Sequence, residues 1–291
     1  MRSPYGTVLD EIPTDFVHPE QWPEYGAVFQ PVVPCKREEV GVHPSGIRWS
    51  LWPITFEEYV GDEDPKLKDA DTGALARFRT VAWKRVHRTD VPKGWITLSK
   101  GPWSLDGICR INPEEDYTKK WGHSGRRDLG LWRRNANEYT IEKCDFADYK
   151  KAYEKSTVRK KIGMNQFLGV ERSLVLPAAR DNLHLWVVRN KRSHNIVAGL
   201  AAVYSLANHA SMYRVPFVLP EAKKICAMTG LVDHWFNHAR SYGITTQIFT
   251  HFWQPGEPSS WKGSSEFKSH FITDLVAMPP LLWKWRRGKI F

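Results

Sequence analysis

The chain is 291 residues long, enough for one large domain or two small ones with real cores. With 42% hydrophobic and 25% charged residues it has ordinary globular composition, which excludes a natively disordered chain. Lys and Arg number 42 against 32 Asp and Glu. The surplus of +10 fits a polyanionic partner (RNA, a nucleotide diphosphate, an acidic membrane surface) and fits simple solubility equally well.

The 14 Trp suit ligand or base stacking, or a buried core. The four cysteines, Cys35, Cys109, Cys144 and Cys226, form no CxxC pair, and the first five residues carry no apolar signal core. A reduced, cytoplasmic protein is the expectation. The longest apolar run, residues 196–207, is too short to span a bilayer.

Six prolines from Pro13 to Pro44 exclude long helices from residues 1–50. Residues 47–52 and 77–86 alternate apolar and polar, as half-buried strands do. Residues 95–98 and 108–111 read as further strands, closed by Gly101-Pro102 and Asn112-Pro113. Residues 114–121 look helical, with Gly122 and Gly125 as breakers. In residues 126–134, Arg126 and Arg133 stand seven apart, as do Arg127 and Arg134, so each pair stacks on one side of a helix. A two-tier arginine face suits phosphate; solvated arginines suit the pattern as well.

Residues 139–143 are a strand candidate, and Asp145 then caps a helix to about residue 155 with Phe146, Tyr149 and Tyr153 as its buried stripe. A basic loop follows at 157–163. Residues 183–189 and 196–206 form an apolar hairpin across a polar turn at 190–195, with a third strand at 211–215. Residues 221–242 form one helix with Ile225, Met228, Leu231, Trp235, His238 and Tyr242 inward, bent or split at Gly230 and closed by Gly243. Residues 244–249 are a β-branched strand, and 281–287 a last strand, an RNA contact or a membrane-surface patch.

Between those two strands lies Gly263-Ser264-Ser265-Glu266-Phe267-Lys268-Ser269-His270-Phe271. Ser264 or Ser265 is positioned to cap a helix with Glu266 in its first turn. Phe267 and Phe271 share a face, and Lys268 lies about 100° away, so it is expected to be exposed while the aromatics anchor. The bland alternative is a capped surface helix with an ordinary lysine.

A strand and helix followed by a hairpin, a helix and a strand is the succession of a GNAT-type acyltransferase core, and residues 77–275 resemble the FemABX family. The likeness rests on the strand and Gly-Pro of 95–102, the basic helix 126–134, Thr157-Val158-Arg159, the hairpin 183–206, the helix end at 239–243 and the Phe-Lys motif at Phe267-Lys268. It implies an α+β fold of two GNAT-like units: a reduced N-terminal half over 1–112 and an acyltransferase domain over 113–291. It further implies cofactor-free transfer of an aminoacyl group from aminoacyl-tRNA to an amine of a peptidoglycan precursor, with peripheral contact to a membrane surface. Lys268 would meet the tRNA end or the developing oxyanion. Arg126, Arg127, Arg133, Arg134 and Arg159, with Tyr204 of the hairpin, would meet substrate or phosphates. The chain departs from the family in its short, Pro-rich first half and in Ile272, where a Gly usually follows the motif.

Two rivals belong beside this reading. A CoA-dependent N-acetyltransferase shares the core but needs a Gly-rich loop, and residues 207–222 hold no glycine. A non-catalytic RNA- or envelope-binding protein suits the charge and the Trp content. His234 and His238 have metal-ligand spacing, but no third ligand is evident, so core histidines are the better reading and no metal is expected.

Overall fold

The computed structural model describes residues 2–22, 24, 47–51, 54–64, 78–98, 101–156 and 181–287. The strands, in chain order, begin with β1 (Arg2–Ser3), β2 (Gly6–Thr7), β3 (Ile47–Leu51), β4 (Ile54–Val60), β5 (Phe78–Lys84), β6 (Ile96–Thr97) and β7 (Leu105–Arg110). There follow β8 (Tyr139–Lys143), β9 (Leu183–Asn190), β10 (Ile196–Ser205), β11 (Ala210–Val218), β12 (Thr246–Phe249), β13 (Asp274–Ala277) and β14 (Leu282–Arg287). The helices are α1 (His123–Asn135), α2 (Phe146–Glu154), the single turn α3 (Pro220–Lys223), α4 (Ala227–Ser241) and α5 (Lys262–Ser269).

Seven strands form one mixed sheet in the order β13-β7-β12-β11-β10-β9-β8, and five form another in the order β3-β4-β5-β14-β6. Strand order does not follow chain order: β7 lies between β12 and β13, and β14 lies between β5 and β6.

Alternation along β10 divides the core. Leu200, Ala202 and Tyr204 face the cluster built with Leu129 and Trp132 of α1 and Leu231 and Trp235 of α4. Ala201 and Val203 face the opposite cluster, with Tyr149 and Tyr153 of α2 and with Phe16 and Trp22 of the N-terminal segment. The hairpin turn is closed by Asn190, whose Oδ1 accepts from the Arg192 and Ser193 N–H groups at 2.9 and 3.0 Å. Asp145 caps α2 as its spacing predicts, accepting from the Asp148 N–H at 2.8 Å.

Several local expectations are corrected. Residues 114–121 make only a 3₁₀ turn, Tyr117–Lys120, and α1 starts after it with Gly125 inside the helix. A Cβ at Gly125 would sit 3.0 Å from the His270 carbonyl oxygen, so close packing, rather than helix breaking, accounts for this glycine. The helix expected over 221–242 is split at Cys226, whose φ of 54° is left-handed, and not at Gly230, and Tyr242 is exposed at its end. Neither Ser264 nor Ser265 caps α5; Trp261 holds the N-cap position with no side-chain hydrogen bond, and Ser265 turns inward to accept from the Trp253 N–H.

Candidate functional site

β11 and β12 run parallel only where Ala210–Met212 meets Thr246–Ile248. Past that point β11 stays with β10 as far as the Ala198–Val218 pair, over a bulge at Val215, while β12 ends at Phe249. The fork between them opens into a cavity of about 850 Å³. Most of its walls come from five places. They are the bulged end of β11 from Tyr213 to Val218, the start of α4 at Ala227–Thr229, residues 250–251 after β12, α5, and a polar end built from His18, Glu20, Lys84, Trp103 and Ser104.

Three lysines line this cavity: Lys223 is exposed at its edge, while Lys84 and Lys268 are largely enclosed. Lys84, on β5, reaches Glu20 at 2.9 Å and Glu58 at 2.5 Å, and its ammonium lies 5.0 Å from the Trp103 ring centre. Burial opposes its charge, but the two carboxylates outweigh burial and raise it above an ordinary lysine. Lys268, on α5, is only 5% exposed. Its Nζ donates to the Thr250 carbonyl at 2.7 Å and the His251 carbonyl at 2.5 Å, with the Phe252 ring centre 4.7 Å away. Among the described residues no carboxylate lies within ion-pair reach of it. Burial pulls this amine down to about 7; Asp106 and Glu257 pull upward, and Arg214 pushes further down.

The loop that holds Lys268 is tied to the sheet by Asp106, a fully buried carboxylate on β7. Its Oδ1 accepts from the His251 N–H at 2.8 Å and from Ser104 Oγ at 2.7 Å. Its Oδ2 stands 2.9 Å from His18 Nε2, although the ring N–H is not aimed along that line. Burial pushes the Asp106 carboxyl up, yet His18, the His251 N–H and Ser104 together hold it below the usual carboxylate range. His18 Nδ1 accepts from the Glu20 N–H at 3.1 Å, so in the neutral ring the proton is on Nε2. His251 is left-handed, with φ 60°, which sends its N–H to Asp106 while its carbonyl meets Lys268. Gly107, beside Asp106, is required by close approach: a Cβ there would lie 2.6 Å from Phe252.

The candidates read from sequence separate. Lys268 is in the cavity, and its expected exposure is corrected. Phe267 and Phe271 do share a face, with ring centres 4.9 Å apart, but Lys268 is buried beside Ser265 instead of being exposed. Arg126, Arg127, Arg133 and Arg134 are exposed on α1 and none lines the cavity. Arg126 donates to the Trp121 carbonyl, Arg127 pairs with Asp128 at 2.9 Å, and Arg133 approaches Asp233 at 3.8 Å. Arg159 lies outside the described residues.

Tyr204 is buried on the far side of β10, its Oη 2.9 Å from His238 Nδ1 and its ring 4.3 Å from His184. Among the described residues no group of three His, Cys, Asp or Glu side chains is placed to hold a metal, and no helix is long and apolar enough to cross a membrane. Asp106, His18, Glu20, Lys84 and His251 escaped the sequence reading. The one available signal was a carboxylate inside the otherwise apolar run Leu105-Asp106-Gly107-Ile108.

No protein-family model and no curated protein sequence matches the chain. Solved structures are similar to it. One is the crystal structure of FemX, with a TM-score of 0.59 at 12% identity over 82% of this chain and 83% of that one. Another is a conserved protein of unknown function from Bacteroides thetaiotaomicron, with a TM-score of 0.51 at 12% identity over 84% and 82%. The likeness is one of fold, and the α+β, GNAT-like architecture expected from the order of elements holds.

Proposed function

We propose that this chain is an acyltransferase that moves an aminoacyl group from aminoacyl-tRNA to an amine of a peptidoglycan precursor or a similar acceptor. No cofactor takes part. The supporting observation is the fork cavity with the Lys268 amine on its wall, on the lysine of the Phe-Lys motif. Aminolysis of an ester needs a place for a neutral amine, a donor beside the oxyanion and a site that excludes water. The cavity has apolar walls at Val215, Phe217 and Met228 for the last of these and Lys268 for the second. In this reading the five-stranded sheet is what remains of a first GNAT-like half within residues 1–112. The seven-stranded sheet is the half within 113–291, with β7 and β14 exchanged. The exposed arginines of α1 serve as a phosphate-facing surface outside the cavity.

The test incubates the protein with charged tRNAs and mixed cell-wall precursors and follows amide formation, with Lys268→Ala as control. Equal turnover in mutant and parent would remove Lys268 from the chemistry.

One observation keeps the CoA reading in view. α4 opens on the cavity without a side-chain cap, after a left-handed Cys226 that adopts the backbone a glycine would adopt. Acetyl-CoA in the same assay separates the two: acetyl transfer without aminoacyl transfer selects the CoA-dependent enzyme.

A further inference from the structure

The two enclosed lysines of the cavity differ in what holds them. Lys84 sits between two carboxylates, which require its positive charge. Lys268 meets two carbonyls, whose lone pairs two N–H groups satisfy. A neutral amine has two N–H groups, both then engaged, and keeps a lone pair at the remaining tetrahedral position, on a side chain that lines the cavity. We propose that Lys268 enters the reaction as a neutral amine and acts as a proton relay between the attacking amine and the departing ribose oxygen. The inference rests on the aminoacyl-transfer reading.

The acceptor's neutral amine attacks the ester carbonyl carbon; a C–N bond forms, nitrogen gains positive charge and oxygen negative charge. Lys268 takes one proton from that nitrogen. The proton turns Lys268 into a cation at the moment an oxyanion stands beside it. Collapse of the intermediate breaks the C–O ester bond, and Lys268 returns the proton to the leaving ribose oxygen. The products are an amide, an alcohol and a neutral lysine.

The charged groups that act on Lys268 are Asp106 on β7, Arg214 on β11 and Glu257 in the loop before α5. The carboxylates favour the cation, Arg214 opposes it, and burial, the largest influence, also opposes it. A permanent cation at this position would carry its charge into a site that, among the described residues, supplies no carboxylate at contact distance.

The first arm needs no substrate. The unfolding constant of the wild type is compared with that of Lys268→Met from pH 7 to 10. A lysine that is neutral when folded and charged when unfolded makes the wild-type unfolding constant rise, relative to the mutant, about tenfold for each unit of falling pH in that window. Lys268→Gln, which keeps an N–H donor, is the reference if Lys268→Met does not fold. The second arm is the transfer assay, in which kcat should lose activity on the acid side near neutrality and Lys268→Arg, always protonated, should be inactive. A flat difference in the first arm, or an active Lys268→Arg, overturns the relay and leaves the transfer reading standing. A slope with no turnover on any charged tRNA overturns the transfer reading and the relay with it.

Discussion

Lys84 and Lys268 line one cavity and have the same intrinsic chemistry, yet the protein holds them in opposite ways. At one end, Glu20 and Glu58 make the charge of Lys84 favourable despite burial. At the other, two carbonyls satisfy the N–H groups of Lys268 without compensating its charge, and burial dominates. Burial by itself therefore does not decide whether a lysine is a structural cation or a base. The partner does, because a carboxylate returns electrostatic energy that a carbonyl dipole cannot match.

The comparison breaks most visibly in activity. Lys268→Met should lower transfer by about 10²–10³-fold, the size seen when a donor to a developing oxyanion is removed, and should leave neutral-pH stability close to that of the parent. Denaturant unfolding beside the transfer assay checks both halves. Lys84→Met should do the reverse: it leaves two partly buried carboxylates facing each other and should cost about 3 kcal/mol, read as a shift in urea midpoint. If Lys268→Met proves the more damaging to stability at pH 7, the contrast between the two ends fails.

A third buried base, away from the cavity, calibrates the same physics. Burial first, then His238 and Lys143, pull His184 down to about 4 from an ordinary 6.5. Its folded value is lower than its unfolded value, so the unfolded chain binds the extra proton. Stability is full above about pH 6.5 and is lost as pH falls toward 4. The loss is about 2 kcal/mol once partial exposure is allowed for. His184→Phe should flatten that acid limb in urea titrations run between pH 4 and 7.

The smallest effect belongs to the arginine face of α1. Arg127→Ala with Arg133→Ala should change stability by less than about 1 kcal/mol, since both guanidinium groups are largely exposed. The pair should weaken tRNA binding and reduce its salt slope by about 1–2, measured by filter binding at several salt concentrations.

Much of the architecture was legible in the chain. The hairpin β9–β10, the Asp145 cap, the strand before the Phe-Lys motif and the last strand β14 all rest on local periodicity and turn chemistry, which act over a few residues. Lys268 was legible as a candidate from its motif, but its burial was not. Helical spacing predicted an aromatic pair, which forms, and an exposed lysine beside it; the segment at 250–251 packs over Lys268 and buries it instead. The polar end of the cavity was invisible, because its members come from distant parts of the chain. Glu20 and Lys84 are 64 residues apart, and Asp106 and His251 are 145 apart.

The sequence by itself determined which segments become strands and helices and placed one lysine after a strand and loop in a GNAT-like order. The packing of the two sheets decided which side chains share a cavity, which cations lie outside it, and which of two lysines has carboxylates to hold its charge. Secondary structure follows from neighbours along the chain. The charge state of a buried amine follows from desolvation and from partners brought close only by the fold.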